Sequence, residues 1–211
     1  MVVLPLDKRL KKRLHRSIAL AQDILVMEVY NSFPQAVIHG GTALWRCYRS
    51  NRFSEDVDLY LPVDARRESF RSLLDGLEGK GFLVEKFKKT GNSVFSKYSY
   101  LEVAVRLEAV FKKVEAPVLK RFEMVDGTFI LVKTLKPEEM LEEKIRAYFE
   151  RRKVRDLYDV FFLTRIVGKG RVRDSVVKLV EKFKTPVDEK ELKTLIISGS
   201  IPEAEEMLES V

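Results

Sequence analysis

Two adjacent glycines, Gly40-Gly41, stand between a short apolar run, Ala36-Val37-Ile38, and a stretch from Thr42 to Arg49 with helical spacing. A strand therefore ends on glycine and opens directly into a helix. Val57 to Leu61 is a second short strand, closed by Pro62, and Ala65 to Leu77 is amphipathic and helical. Phe82 to Phe87 and Val94 to Leu107 alternate as strands, with a turn at Gly91-Asn92. Val118 to Met124 and Phe129 to Val132 form a hairpin around Asp126-Gly127. Upstream, Asp7 to about Ser32 spaces Leu10, Leu14, Ile18, Ala21, Leu25 and Val29 as one helix face, with Asp7 as N-cap.

The pattern changes after Pro137, which suits a first helical turn. Glu138 to Arg151, Arg155 to Ile166, Val172 to Phe183, Glu189 to Ile197 and Glu203 to Leu208 all favour helix. The expected class is α+β: a mixed sheet flanked by helices, residues 1–133, followed by a helical domain, residues 134–211. The boundary falls between Lys133 and Pro137.

Lysine and arginine number 39 against 32 acids, a net charge of +7. Such a balance suits a polyanionic partner, or simply a lysine-rich soluble surface. The densest basic stretch is Lys8, Arg9, Lys11, Lys12, Arg13 and Arg16, more cations than one helix face needs. One cysteine, Cys47, excludes an intramolecular disulfide and a thiolate zinc site. The N-terminus shows no apolar segment before a cleavage site, and no apolar run approaches the ~18 residues of a membrane span. A cytoplasmic protein without a membrane partner is expected.

The chemistry concentrates around the glycine pair. Without Cβ atoms, Gly40 and Gly41 let a ligand approach the backbone. The amides at the helix start favour anions such as phosphate, and Thr42 adds a hydroxyl there. Asp56 and Asp58 lie at i and i+2 on a strand, so their side chains share a face. Two carboxylates that close call for a cation, and hard oxygen donors favour Mg²⁺ or Mn²⁺. A phosphate turn beside such a pair is equipment for phosphoryl chemistry. Lys144, Ala147 and Arg151 fall on one helix face, and Asp156 and Asp159 on one face of the next. That surface can hold a triphosphate or base, or it can be a salt-bridged hairpin whose charges are solvated. His39 can touch a phosphate or base, or cap the strand end through a hydrogen bond.

Gly40-Gly41-Thr42-Ala43-Leu44 followed by Arg52-Phe53-Ser54-Glu55-Asp56-Val57-Asp58-Leu59 resembles the nucleotidyltransferase family that includes the AbiEii and MenT toxins, a branch of the DNA-polymerase-β superfamily. The interval from Gly41 to Asp56 is about one residue longer than the usual pattern, which a loop absorbs. Lys144, Ala147, Arg151, Arg155, Asp156 and Asp159 match a later motif of that family, so the resemblance spans residues 36 to 163. It implies a polymerase-β-like domain followed by the helical one, and a metal-dependent enzyme that moves a nucleotide from a nucleoside triphosphate onto an acceptor. Asp56 and Asp58 would hold metal ions together with a third carboxylate, Glu102 or alternatively Glu108. Gly40, Gly41, Thr42, Ser54 and Arg151 would contact the nucleotide. Lys144 would neutralise developing charge, and Asp156 would orient Lys144 or bind base or acceptor.

The acceptor expected from the resemblance is RNA, above all tRNA, or a protein, with a cognate antitoxin as partner. Two rivals stand beside it. One is a housekeeping nucleotidyltransferase with a small-molecule or protein acceptor. The other is a nucleotide- or RNA-binding module without turnover, against which the intact Asp56/Asp58 pair speaks.

Overall fold

The computed structural model describes residues 4–167 and 173–211. The chain divides into two compact units, Met1–Arg49 with Phe53–Thr134 and Ser50–Arg52 with Leu135–Val211.

The first unit holds the sheet. Its elements are α1 (Leu6–Arg9), α2 (Arg13–Ser32), β1 (Val37–His39), α3 (Gly40–Cys47), β2 (Asp56–Leu61), α4 (Arg67–Gly79), β3 (Phe82–Lys89), β4 (Ser93–Tyr100), β5 (Val103–Phe111), β6 (Val118–Glu123) and β7 (Phe129–Thr134). Among the described residues seven strands form one sheet, ordered β3-β4-β5-β2-β1-β7-β6. It is mixed: β2 runs parallel to β5 and β1 to β7, and the other pairs are antiparallel. The expected α+β class is what is found. Ile18, Ala21, Leu25 and Val29 of α2 and Phe70, Leu73 and Leu77 of α4 are buried, as are Val57, Leu59, Val105 and Leu107 of the central strands. Burial of each large aliphatic or aromatic side chain contributes about 1.5–3 kcal/mol, so this interior decides where β2 sits.

Two local expectations differ from the structure. The single N-terminal helix is broken: α1 ends at Arg9, Leu10 is extended, and α2 starts at Arg13, so Asp7 lies inside α1 and is no N-cap. A continuous helix would stack Lys8 on Lys12, Arg9 on Arg13 and Lys12 on Arg16, all like charges at i,i+4. The break also changes the phase, leaving Leu14 exposed and burying His15 against Phe53. The second difference is that Val94 to Leu107 is not one strand but the hairpin β4–β5, turned at Leu101-Glu102. Leu101 adopts φ 53° there, a position where Gly or Asn would signal the turn.

The second unit is helical: α5 (Pro137–Arg151), α6 (Val154–Val167), α7 (Arg173–Glu181), a 3₁₀ turn (Glu189–Glu191), α8 (Leu192–Leu195) and α9 (Ala204–Ser210). Val172, the expected start of α7, lies outside the described residues. Pro137 opens α5, where the Glu139 carboxylate accepts the Lys136 amide at 3.0 Å. Arg152, in the left-handed region, ends it, and α6 folds back along α5. Leu141, Ile145, Tyr148, Leu157, Val160 and Leu163 form the core of this hairpin, and Met207 of α9 is buried too.

Candidate active site

The glycine turn and the carboxylate strand are neighbours because β1 and β2 are paired. His39 lies opposite Asp58, so the turn that follows His39 begins beside that carboxylate. Gly40 has φ +68°, and a Cβ built there would lie 2.1 Å from Asp58 Oδ2. Both facts make any side chain at this position strained. His39 itself is half-buried and stacks on Tyr60, with ring centroids 4.0 Å apart.

Asp56 and Asp58 point to the same face of β2, while Val57 and Leu59 are buried on the other. The backbone beneath them is tied down from two helices. Gln22 of α2 is fully buried, and its amide nitrogen donates to the carbonyls of Ser54 and Glu55, both at 2.9 Å. Thr42 was expected at the phosphates. Its hydroxyl is instead fully buried and donates to the Asp56 carbonyl. Ser54 is half-buried at the entry to β2.

The parallel pairing with β5 sets Arg106 beside Asp56 and Glu108 beside Asp58. Arg106 grips Asp56 with two nitrogens, at 2.6 and 3.0 Å. Of the two candidates for a third carboxylate, Glu108 shares the exposed face with Arg106, whereas Glu102 is exposed in the turn before β5. The donor chemistry of Asp56, Asp58 and Glu108 suits a hard divalent cation. Among the described residues, however, no three such groups are gathered around one point as a metal cage. Arg106 supplies the compensating charge at Asp56.

The helical unit carries a second constellation. Asp156 and Asp159 are fully buried and Lys144 is nearly so. The Lys144 Nζ lies 2.7 Å from Asp159 and 3.5 Å from Asp156. Arg151 clasps Asp156 at 2.6 and 2.7 Å, and Arg52 clasps Asp159 with two contacts of 2.7 Å. Asp156, Asp159, Lys144 and Arg52 are thus paired inside the protein, and Arg151 reaches Asp156 from the exposed side. Burial alone would push the Asp159 carboxyl up, but Arg52 and then Lys144 hold it below the ordinary value of 3.8. Burial likewise opposes the charge on Arg52, and Asp159 overcomes that and raises it.

The profile of the family described as "Nucleotidyl transferase AbiEii toxin, Type IV TA system" matches residues 24–207. The chain belongs to the AbiEii family. It is a nucleotidyltransferase of the toxin type, as the motifs led one to expect. The structure of JHP933 from Helicobacter pylori is similar, with TM-score 0.62 and 22% identity over 91% of this chain and 88% of that one. A second H. pylori structure, assigned provisionally as a nucleotidyltransferase, gives TM-score 0.61 and 22% identity over 91% and 90%. At that identity the two establish the shared fold. Among curated proteins none matches the sequence significantly. Among the described residues no helix is long and apolar enough to cross a membrane.

Two residues of this AbiEii-family chain escaped the reading of its motifs. Gln22 sits on the apolar stripe of its helix, four residues after Ile18 and three before Leu25. A polar residue on a buried stripe is the signal that could have found it. Arg52 opens the Arg52-to-Leu59 motif, but nothing in its spacing shows that its partner is Asp159, 107 positions away.

Proposed function

We propose that this AbiEii-family enzyme transfers a nucleoside monophosphate from a nucleoside triphosphate to RNA, with tRNA as the acceptor, and that a cognate antitoxin restrains it. The observation that carries the reading is the carboxylate pair Asp56/Asp58, on one face beside a glycine where any side chain would be strained. The acceptor hydroxyl attacks the α-phosphorus in line, its proton is lost, and pyrophosphate leaves.

Asp56 and Asp58, with Glu108 as the third carboxylate, are the groups that would hold Mg²⁺ or Mn²⁺. Bound there, the metal supplies Lewis acidity for the hydroxyl and charge neutralisation for the triphosphate. Gly40 and Gly41 offer the start of α3 to the β- and γ-phosphates, and Ser54 lies at the entry to β2. Thr42 and Gln22 act as positioning residues, through the backbone of residues 54–56. Lys144 neutralises charge that develops during transfer, with Asp156 and Asp159 orienting it and Arg151 holding Asp156 in turn. RNA as acceptor is supported by the net charge of +7 and by the exposed cations Lys11, Lys12, Arg13 and Arg16.

The test is incubation with each labelled nucleoside triphosphate, Mg²⁺ and total tRNA. Label is expected in the RNA fraction. Label that appears only in protein, or transfer that persists without divalent metal, overturns the reading.

A further inference from the structure

The face of the sheet that carries the carboxylates continues beyond them in two aligned rows. Register places Asp58, Glu108, Phe95 and Lys88 side by side across β2, β5, β4 and β3. The adjacent row is Asp56, Arg106, Lys97 and Lys86. Directly paired residues share a face. Burial agrees: Val94, Ser96, Tyr98, Val105 and Leu107 are inside, whereas Phe95 and Lys97 are half-exposed and Lys86, Lys88, Arg106 and Glu108 exposed.

Two features of this face resist a purely structural account. Lys86, Lys97 and Arg106 stand directly opposite one another, and like charges so placed destabilise a sheet. Glu85 offsets Lys97 at 2.5 Å and Asp56 offsets Arg106, yet the row keeps its positive character towards β3. Between the cations a phenylalanine, Phe95, faces outward, with Lys86 Nζ 5.2 Å from its ring centroid. A cationic strip interleaved with an aromatic ring is how proteins hold single-stranded nucleic acid: backbone charge is matched and bases stack on the ring. Strands lie about 4.8 Å apart, so three steps from β2 to β3 give a track of roughly 14 Å, room for a few nucleotides.

We infer that the face of β3, β4 and β5 is the acceptor track. The single-stranded end of an RNA lies across it, a base stacks on Phe95, and the backbone follows Lys86 and Lys97 with the terminal hydroxyl towards Asp56 and Asp58. This rests on the RNA-acceptor reading above and adds where that acceptor lies and which form it takes.

The experiment measures binding of a short fluorescent single-stranded RNA to the full chain by anisotropy, over a range of salt, without nucleotide or metal. Phe95→Ala should weaken binding about 5- to 150-fold, the range for loss of one stacked base. Phe95→Leu, which keeps bulk without a ring, should weaken it too, and Phe95→Tyr should keep it. Lys86→Ala and Lys97→Ala should each lower the slope of log K against log salt by about 0.7. Nucleoside triphosphate affinity by calorimetry should not change in any of the five. If Phe95→Ala, Phe95→Leu, Lys86→Ala and Lys97→Ala all bind RNA as wild type does, while label still reaches RNA, the track is overturned and the acceptor reading stands. A face reserved for a protein partner gives that same result and likewise overturns it. If wild type neither binds nor labels RNA, the acceptor reading falls and the track with it.

Discussion

The carboxylates of β2 and those of α6 are held in opposite ways. Asp56 and Asp58 are half-exposed, and what is buried is the backbone grip of Gln22 and Thr42 beneath Asp56. Asp156 and Asp159 are fully buried, and the side chains themselves are bound by Arg52, Lys144 and Arg151. In the first arrangement the carboxylates stay half-exposed, and Arg106 offsets Asp56 near the surface. The second compensates charge internally, where an unmatched ion costs several kcal/mol. The two pairs thus differ in depth: side-chain partners meet Asp56 near the surface, and Asp156 and Asp159 in the interior.

Asp56→Asn with Asp58→Asn should bring nucleotidyl transfer below detection while thermal unfolding stays near wild type. A large fall in stability would show that this pair too is architectural. Asp159→Asn should do the reverse first: the loss of one partner of a buried pair costs about 3–5 kcal/mol in denaturant titration. A variant of unchanged stability would mean that Arg52 and Lys144 need no counter-charge.

Gly40→Ala adds a Cβ at +68° φ against Asp58 Oδ2. It should cost about 1–3 kcal/mol of stability and weaken triphosphate binding, read by calorimetry. Lys144→Ala should lower kcat with substrate affinity little changed, whereas neutralising Lys8, Lys12, Arg13 and Arg16 should weaken RNA binding and its salt dependence. A wild-type kcat for Lys144→Ala would remove the helical unit from the chemistry.

The smallest effect is with pH. Asp159 titrates below its ordinary value when folded, so its contribution is full above that ordinary value of 3.8 and fades as pH falls through the lower, folded value. Wild type should lose stability across that acid window, and Asp159→Asn should lose less. Equal losses in both would place the acid-labile group elsewhere.

Much of the fold was legible because its signals are local. Gly40-Gly41 between a strand and a helix, the alternation in β3 and the Asp126-Gly127 turn all declare themselves within a few residues. The break between α1 and α2 was not legible, since apolar spacing runs through Leu10 and Leu14 while like-charge crowding interrupts it. The β4–β5 turn was hidden because Leu101-Glu102 lacks the residues that usually take positive φ. That same turn decides where β5 starts, hence which glutamate lies beside Asp58. Glu108 is read from register, which no single strand encodes. Thr42 looked like a ligand residue because a hydroxyl beside a glycine turn can face either way, and only packing under β2 directs it inward.

The grip of Gln22 and Thr42 has a consequence for motion. Three successive carbonyls, those of Ser54, Glu55 and Asp56, are tied to buried side chains on α2 and α3. The approach to β2 cannot fluctuate alone; it opens only when helices α2 and α3 loosen with it, so its amides belong to a high-energy opening unit and should exchange slowly. For the backbone of residues 54–56, the entropy that ordering would cost has already been lost in folding, before any ligand meets it.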